Sequence, residues 1–383
     1  MEKFEQKINR IFLNSGIPFV DYGLVNSESN LVEGFFRNSA RFEVLPNRKQ
    51  IFRMASMTKP ITAYLALSAL DEYKINLHDK VGKYLPEIDN LKIAYKDGHI
   101  IKYQDNNIPI TFHHLLNCTS GHAYEQHDPI ISELLSKKEI APMKDGDDAF
   151  MDAPLVFKPG SRWGYGISYG WLGIAIETVT GKSLNQNLKK YLCHPLNLEN
   201  TSFNPDALSK AKLAPVYFRD TDGNYSDIGS KISLGYNPFH YGGGGMTSTL
   251  SDYLKILQFF LKNIKSVNAQ NTISLMFKNQ IGELNIAPLK SYNQSLALDY
   301  EIHPNVKKSW GYGVIINDQP LERGRFARAE PYRRHSSDRG PRRTSVRPAR
   351  KRRRIDARSR SNPNHPKAIR THAGWWSQRG GRV

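Results

Sequence analysis

Residues 51–86 read IFRMASMTKPITAYLALSALDEYKINLHDKVGKYLP. From Ser56 to Leu70 this stretch is almost wholly apolar, and Lys59 carries its only charge. It predicts a buried helix whose start is set by Pro60. Proline has no N–H and is tolerated only in the first turn, where backbone N–H groups have no intrahelical partner. A lone lysine in such a run needs a polar partner. Residues i and i+3 share a helix face, so the Lys59 amine can reach the Ser56 hydroxyl. The positive end of the helix dipole and burial both disfavour the ammonium, which pushes the lysine toward a useful base. The same end favours negative charge developing on a substrate oxygen near the Ser56 N–H. Spacing alone is a weak signal. Ser209-x-x-Lys212 also fits it, in a polar stretch with no apolar helix behind it, and reads as chance.

Three further blocks follow in order: ITFHHLLNCTSGH (110–122), FKPGSRWGYGISYGWLGIAIETVTGKSL (157–184) and YGGGGMTSTLSDYLKIL (241–257). With residues 51–86 they resemble the serine beta-lactamase-related family, which holds class C beta-lactamases, D-Ala-D-Ala peptidases and family VIII carboxylesterases. The resemblance spans about residues 5–316. It implies an α+β fold of the beta-lactamase/transpeptidase type, an antiparallel sheet flanked by helices with a mainly helical inserted region. It also implies acyl transfer through Ser56, with Lys59 and Tyr165 moving its proton. The family's tyrosine is usually followed by x-Asn, but Ile167 stands at that place here. Tyr165-Gly166-Ile167-Ser168 is nearer the esterase branch, and loss of an amide donor disfavours an amide-bearing substrate such as a beta-lactam. Taken without the blocks, Tyr165 reads better as a core aromatic between glycines, and the alignment of the blocks reverses that reading.

The family's third element, Lys-Thr-Gly, His-x-Gly or Trp-x-Gly on an inner strand, is expected soon after WGYGVII (310–316) and is not found there. The C-terminal strands of the fold are missing with it. His372-Ala373-Gly374 matches formally, but too few residues follow it for the strands and helix that complete the fold.

Elsewhere the pattern predicts an amphipathic helix over 3–14, with Phe4, Ile8, Ile11 and Phe12 on one face. Two strands, Pro18 to Val25 and Val32 to Arg37, are expected around a polar turn. Helices are expected from Trp171 to Thr180, ended by Gly181, and from Tyr253 to Leu261. Trp310 to Ile316 reads as one strand, and strands at both ends suggest a sheet closed by the N- and C-terminal parts of the chain. His113 and His114 read as structural rather than metal-binding.

The chain has 383 residues, 39 % of them hydrophobic, enough for a sizeable core. Its formal net charge of +18 is unevenly spread. Residues 321–383 hold 18 Arg and 2 Lys against 4 acids, while residues 1–320 carry only +2. The resemblance, which ends at about residue 316, and the shift in composition beyond it together imply a serine hydrolase domain, 1–316, and an Arg-rich tail, 317–383, with too few apolar residues to offset its ordering entropy. The tail reads as a basic arm that binds nucleic acid non-specifically, as a solvated extension, or as a shifted frame or fusion. Cys118 and Cys193 form no disulfide framework or metal spacing. No window approaches the ~18 apolar residues of a membrane span, and the charged opening MEKFEQKINR lacks an export run. The expectation is a cytoplasmic carboxylesterase acting on a small-molecule ester or amide, with no metal or cofactor and no membrane. The alternatives are a beta-lactamase or D-Ala-D-Ala peptidase-like enzyme, or an inactive member lacking the third element.

Overall fold

The computed structural model describes residues 2–38, 50–143, 147–206, 209–210, 212–220, 224–228, 239–264, 272–293, 297–301 and 304–319. Its centre is helix α2 (Thr58–Glu72), which follows a 3-10 turn at Ala55–Met57. Ten of the fifteen residues of α2 are buried, on all sides of the helix. A helix apolar all round belongs inside a core rather than on a surface. Against it packs α5 (Ser168–Thr180), which starts three residues before the expected Trp171 and stops where Gly181 takes φ +63°. Ile61, Leu65, Leu172, Ile176, Leu184 and Leu188 are fully or almost fully buried between and beside these helices.

The N-terminal helix α1 (Glu2–Ser15) lies on the hairpin of β1 (Phe19–Val25) and β2 (Asn30–Arg37), with the Phe12 ring 6.1 Å from Tyr22 and 5.8 Å from Phe36. The turn between the strands is held by Asn26, whose Oδ1 accepts from the backbone N–H groups of Glu28 and Ser29. Ile11, placed on the buried face by periodicity, remains 47 % exposed.

Two expectations need correction. The run WGYGVII is a hairpin rather than one strand: β9 (Lys308–Trp310) and β10 (Ile315–Asn317) are antiparallel, and the Gly311 N–H donates to the Val314 carbonyl across the turn. An apolar run does not by itself separate one strand from two, and the turn falls at Gly313, where φ is +79°. Among the described residues, moreover, the β1–β2 and β9–β10 hairpins do not share a sheet. The described strands form five separate antiparallel pairs. Four are local hairpins. The fifth joins β3 (Phe52–Arg53), just before the Ala55–Met57 turn, to β8 (Thr247–Ser248), just after the four glycines.

The C-terminal hairpin sits directly on the first turn of α2. A Cβ on Gly313 would lie 2.9 Å from the Lys59 carbonyl oxygen and 3.0 Å from the Pro60 Cα, so no larger residue fits without displacing the helix. Tyr312, in the same turn, hydrogen-bonds through its hydroxyl to His113 Nδ1 at 2.8 Å, on α3 (Phe112–Leu116).

Candidate active site

Ser56 lies in the 3-10 turn entering α2, and Lys59 is the second residue of the helix. Ala55, immediately before the serine, has φ +43°, a strained conformation for a residue with a Cβ. Ser56 is half-buried and Lys59 is 1 % exposed. The expected pair forms: Lys59 Nζ is 3.2 Å from Ser56 Oγ.

Two segments distant in sequence complete the surroundings of the amine. Gly243, within the four-glycine run, presents its carbonyl oxygen 2.8 Å from Nζ, and the Tyr124 hydroxyl lies at 3.1 Å. The glycine run crosses the face of α2, and Thr62 Oγ1 donates to the Gly242 carbonyl at 2.7 Å. A Cβ on Gly242 would meet the Tyr169 carbonyl oxygen at 2.4 Å, so the crossing requires glycine.

Tyr165 comes from the loop before α5. Its hydroxyl is hydrogen-bonded to Ser56, and Lys59 Nζ stands 4.8 Å from its ring centre. The ring is walled by Tyr124, Trp163 and Trp310, at centroid distances of 5.4, 6.1 and 6.1 Å. The backbone N–H of Tyr124 donates to the Tyr165 carbonyl, which ties the two loops together.

Burial brings the Lys59 amine down to about 7, with a nearby Cys118 thiol working weakly the other way. Burial also pushes the Tyr165 phenol up, against a smaller lowering by its bond to Ser56. At neutral pH the tyrosine is therefore a neutral phenol, and the group that can accept a proton is the lysine. Cys118 is itself held up to about 12 by burial, which leaves it a protonated thiol with no thiolate to react.

The structure thus brings Ser56, Lys59 and Tyr165 together. Ser209 and Lys212 are placed elsewhere, in a turn where the exposed Lys212 contributes its carbonyl oxygen to the Ile51 N–H. The histidine pair is built into the frame. Asn117 Nδ2 lies 3.0 Å from His113 Nε2, and His114 reciprocates a capping bond with Thr111 at the start of α3. Burial lowers His113 to about 4, so it stays neutral. Among the described residues no group of three or more His, Cys, Asp or Glu is arranged to hold a metal ion, and no helix is long and apolar enough to cross a membrane. The formal match His372-Ala373-Gly374 and the whole Arg-rich tail beyond Gln319 lie outside the described residues. Sequence reading missed Tyr124 and the Gly243 carbonyl. Both sit in the quoted blocks or directly after one, but nothing in their spacing points at Lys59.

The family model for beta-lactamase matches residues 34–340. The chain belongs to the beta-lactamase family. Within this family, it is 26 % identical over 285 residues to monacolin J acid methylbutanoyltransferase of Aspergillus terreus, covering 70 % of this chain and 68 % of that one. It is 25 % identical over 244 residues to lovastatin esterase of Penicillium rubens, covering 61 % and 60 %. In fold it is similar to simvastatin synthase from Aspergillus terreus, with a TM-score of 0.66 at 24 % identity over 82 % of this chain and 81 % of that one. The fold is that of the beta-lactamase/transpeptidase group, and the chain is an enzyme of the serine hydrolase and acyltransferase type.

Proposed function

We propose that this beta-lactamase family member is a carboxylesterase whose nucleophile is Ser56. One observation carries the reading. A half-exposed serine hydroxyl lies between a buried amine that titrates near neutrality and a neutral phenol. Lys59, as free amine, takes the Ser56 proton while Oγ attacks the ester carbonyl. The proton passes through Lys59 and Tyr165 to the departing alkoxide, which leaves as the alcohol. The acyl group remains as an ester on Ser56. Water then attacks that ester, its proton returns by the same route, and the acid is released with Ser56 restored. The Ser56 N–H is one proposed donor to the carbonyl oxygen as it becomes negative.

Ester rather than beta-lactam is favoured by Ile167, buried and with a purely hydrocarbon side chain where the family often carries Asn. It is also in keeping with relatives named for a butanoyl transfer and for an esterase. Replacement of water by another acyl acceptor, such as an alcohol, is a second reading, which the first of those names, a methylbutanoyltransferase, favours. A small-molecule substrate and a cytoplasmic setting belong to the same proposal.

A fluorophosphonate is expected to add its mass to Ser56, to fail with Ser56→Ala, and to react undiminished with Ser209→Ala. p-Nitrophenyl acetate is expected to be cleaved faster than nitrocefin. Adding an alcohol to the ester assay separates hydrolysis from transfer by the appearance of the new ester. Labelling of Ser56→Ala, or nitrocefin as the faster substrate, overturns the assignment.

A further inference from the structure

We infer that Tyr124 and Tyr241 are positioning residues that hold the Lys59 amine with its lone pair on Ser56, an inference that rests on the acyl-transfer reading above. A neutral amine has two N–H bonds and one lone pair. Three polar groups surround Lys59 Nζ: Ser56 Oγ, the Gly243 carbonyl and the Tyr124 hydroxyl. The carbonyl can only accept, so it takes one N–H. The lone pair therefore faces either Ser56, where it can receive the hydroxyl proton, or Tyr124, where it cannot activate the serine.

The direction of the Tyr124 hydroxyl decides between them. Among the described residues its hydroxyl partner besides the lysine is the buried Tyr241 hydroxyl at 2.5 Å. When Tyr124 donates to Tyr241, its oxygen is left to accept from Lys59, and the lone pair turns to Ser56. When Tyr241 donates instead, the Tyr124 proton is free to occupy the lysine lone pair. Burial holds both phenols well above their ordinary range, so both keep their protons at any working pH and the bond is one of orientation, not of charge. The two tyrosines do not contact the nucleophile in any hydrogen bond of the site, and their action runs through Lys59.

Tyr124→Phe removes the acceptor and keeps the ring. It is expected to lower kcat about 10- to 100-fold with KM nearly unchanged, the size of effect seen when a reacting group is mispositioned. Tyr241→Phe is expected to give a smaller loss, because Tyr124 keeps its oxygen but loses its orientation. The double variant should be no worse than Tyr124→Phe, since Tyr241 acts only through Tyr124. A readout independent of turnover is the titration of Lys59, followed by NMR in protein carrying 13C at lysine Cε and assigned by Lys59→Met. The Lys59 midpoint should move to lower pH in Tyr124→Phe, because the ammonium loses a charge-assisted bond. An unmoved Lys59 midpoint, or losses that multiply in the double variant, overturns this inference. Failure of the unaltered chain to take up the phosphonate at Ser56 overturns the acyl-transfer reading instead.

Discussion

Lys59 is costly to bury, and that cost has a sign that can be measured. Its amine titrates at about 7 in the folded chain against 10.5 in the open chain. Between those values the unfolded state binds a proton that the folded state does not, so stability rises with pH across this window and is flat below it. In Lys59→Met the rise should vanish. The stability of the unaltered chain relative to the variant should therefore grow by about 1.4 kcal/mol per pH unit from pH 7.5 to 9.5 in urea unfolding. Ester hydrolysis should follow the same amine, with kcat/KM climbing through pH 7 and levelling above it. Ala55 makes a second residue-scale case. Its φ of +43° suits glycine, so Ala55→Gly should raise stability by about 1 kcal/mol, read as a higher urea midpoint at unchanged slope. The strain places the Ser56 turn, and the same variant is expected to lose phosphonate reactivity as it gains stability.

At the scale of elements, the hairpin β9–β10 supports the first turn of α2. Gly313→Ala demands both a left-handed alanine and room that the Lys59 carbonyl occupies, so it should cost about 1–3 kcal/mol and slow the labelling of Ser56. By contrast Thr249→Ala, which removes the side chain accepting from the Asp252 N–H at the start of the helix Leu250–Asn263, should cost about 1 kcal/mol and leave the labelling rate alone. The buried α2 and α5 helices were legible because a long apolar run with Pro in its first turn, or with Gly just past its end, has few other readings. The same holds for the Ser56–Lys59 pair, whose two members lie on one turn. The β9–β10 hairpin was not, because seven apolar and glycine residues fit one strand as well as two. Tyr124 and Gly243 were not legible either. Their meeting with Lys59 is made by loops that α2 and α5 bring together in space, and no local period encodes it. Ile11 was misplaced for a related reason: helical periodicity says which residues share a face, not how far the β1–β2 hairpin extends to cover it.

For the whole molecule, the division at residue 316 remains a proposal drawn from the family resemblance and the shift in composition, and the family match runs to residue 340. A chain ending at Gln319 separates the two boundaries. Every partner of Ser56, Lys59 and Tyr165 named above precedes that point, so the shortened chain should take up the phosphonate at the full-length rate. A slower rate would assign part of the site to the residues beyond it. The partners of Lys59 also fix an order of events during synthesis. The serine and lysine are made early, but Tyr124 stands 65 residues later and the Gly243 carbonyl 184 residues later. The glycine that backs the helix, Gly313, is later still. Translation adds roughly 5–20 residues per second. Ser56 and Lys59 are therefore made roughly 10–40 seconds before Gly243, and the burial that lowers the Lys59 amine is completed only after the glycine run has been added.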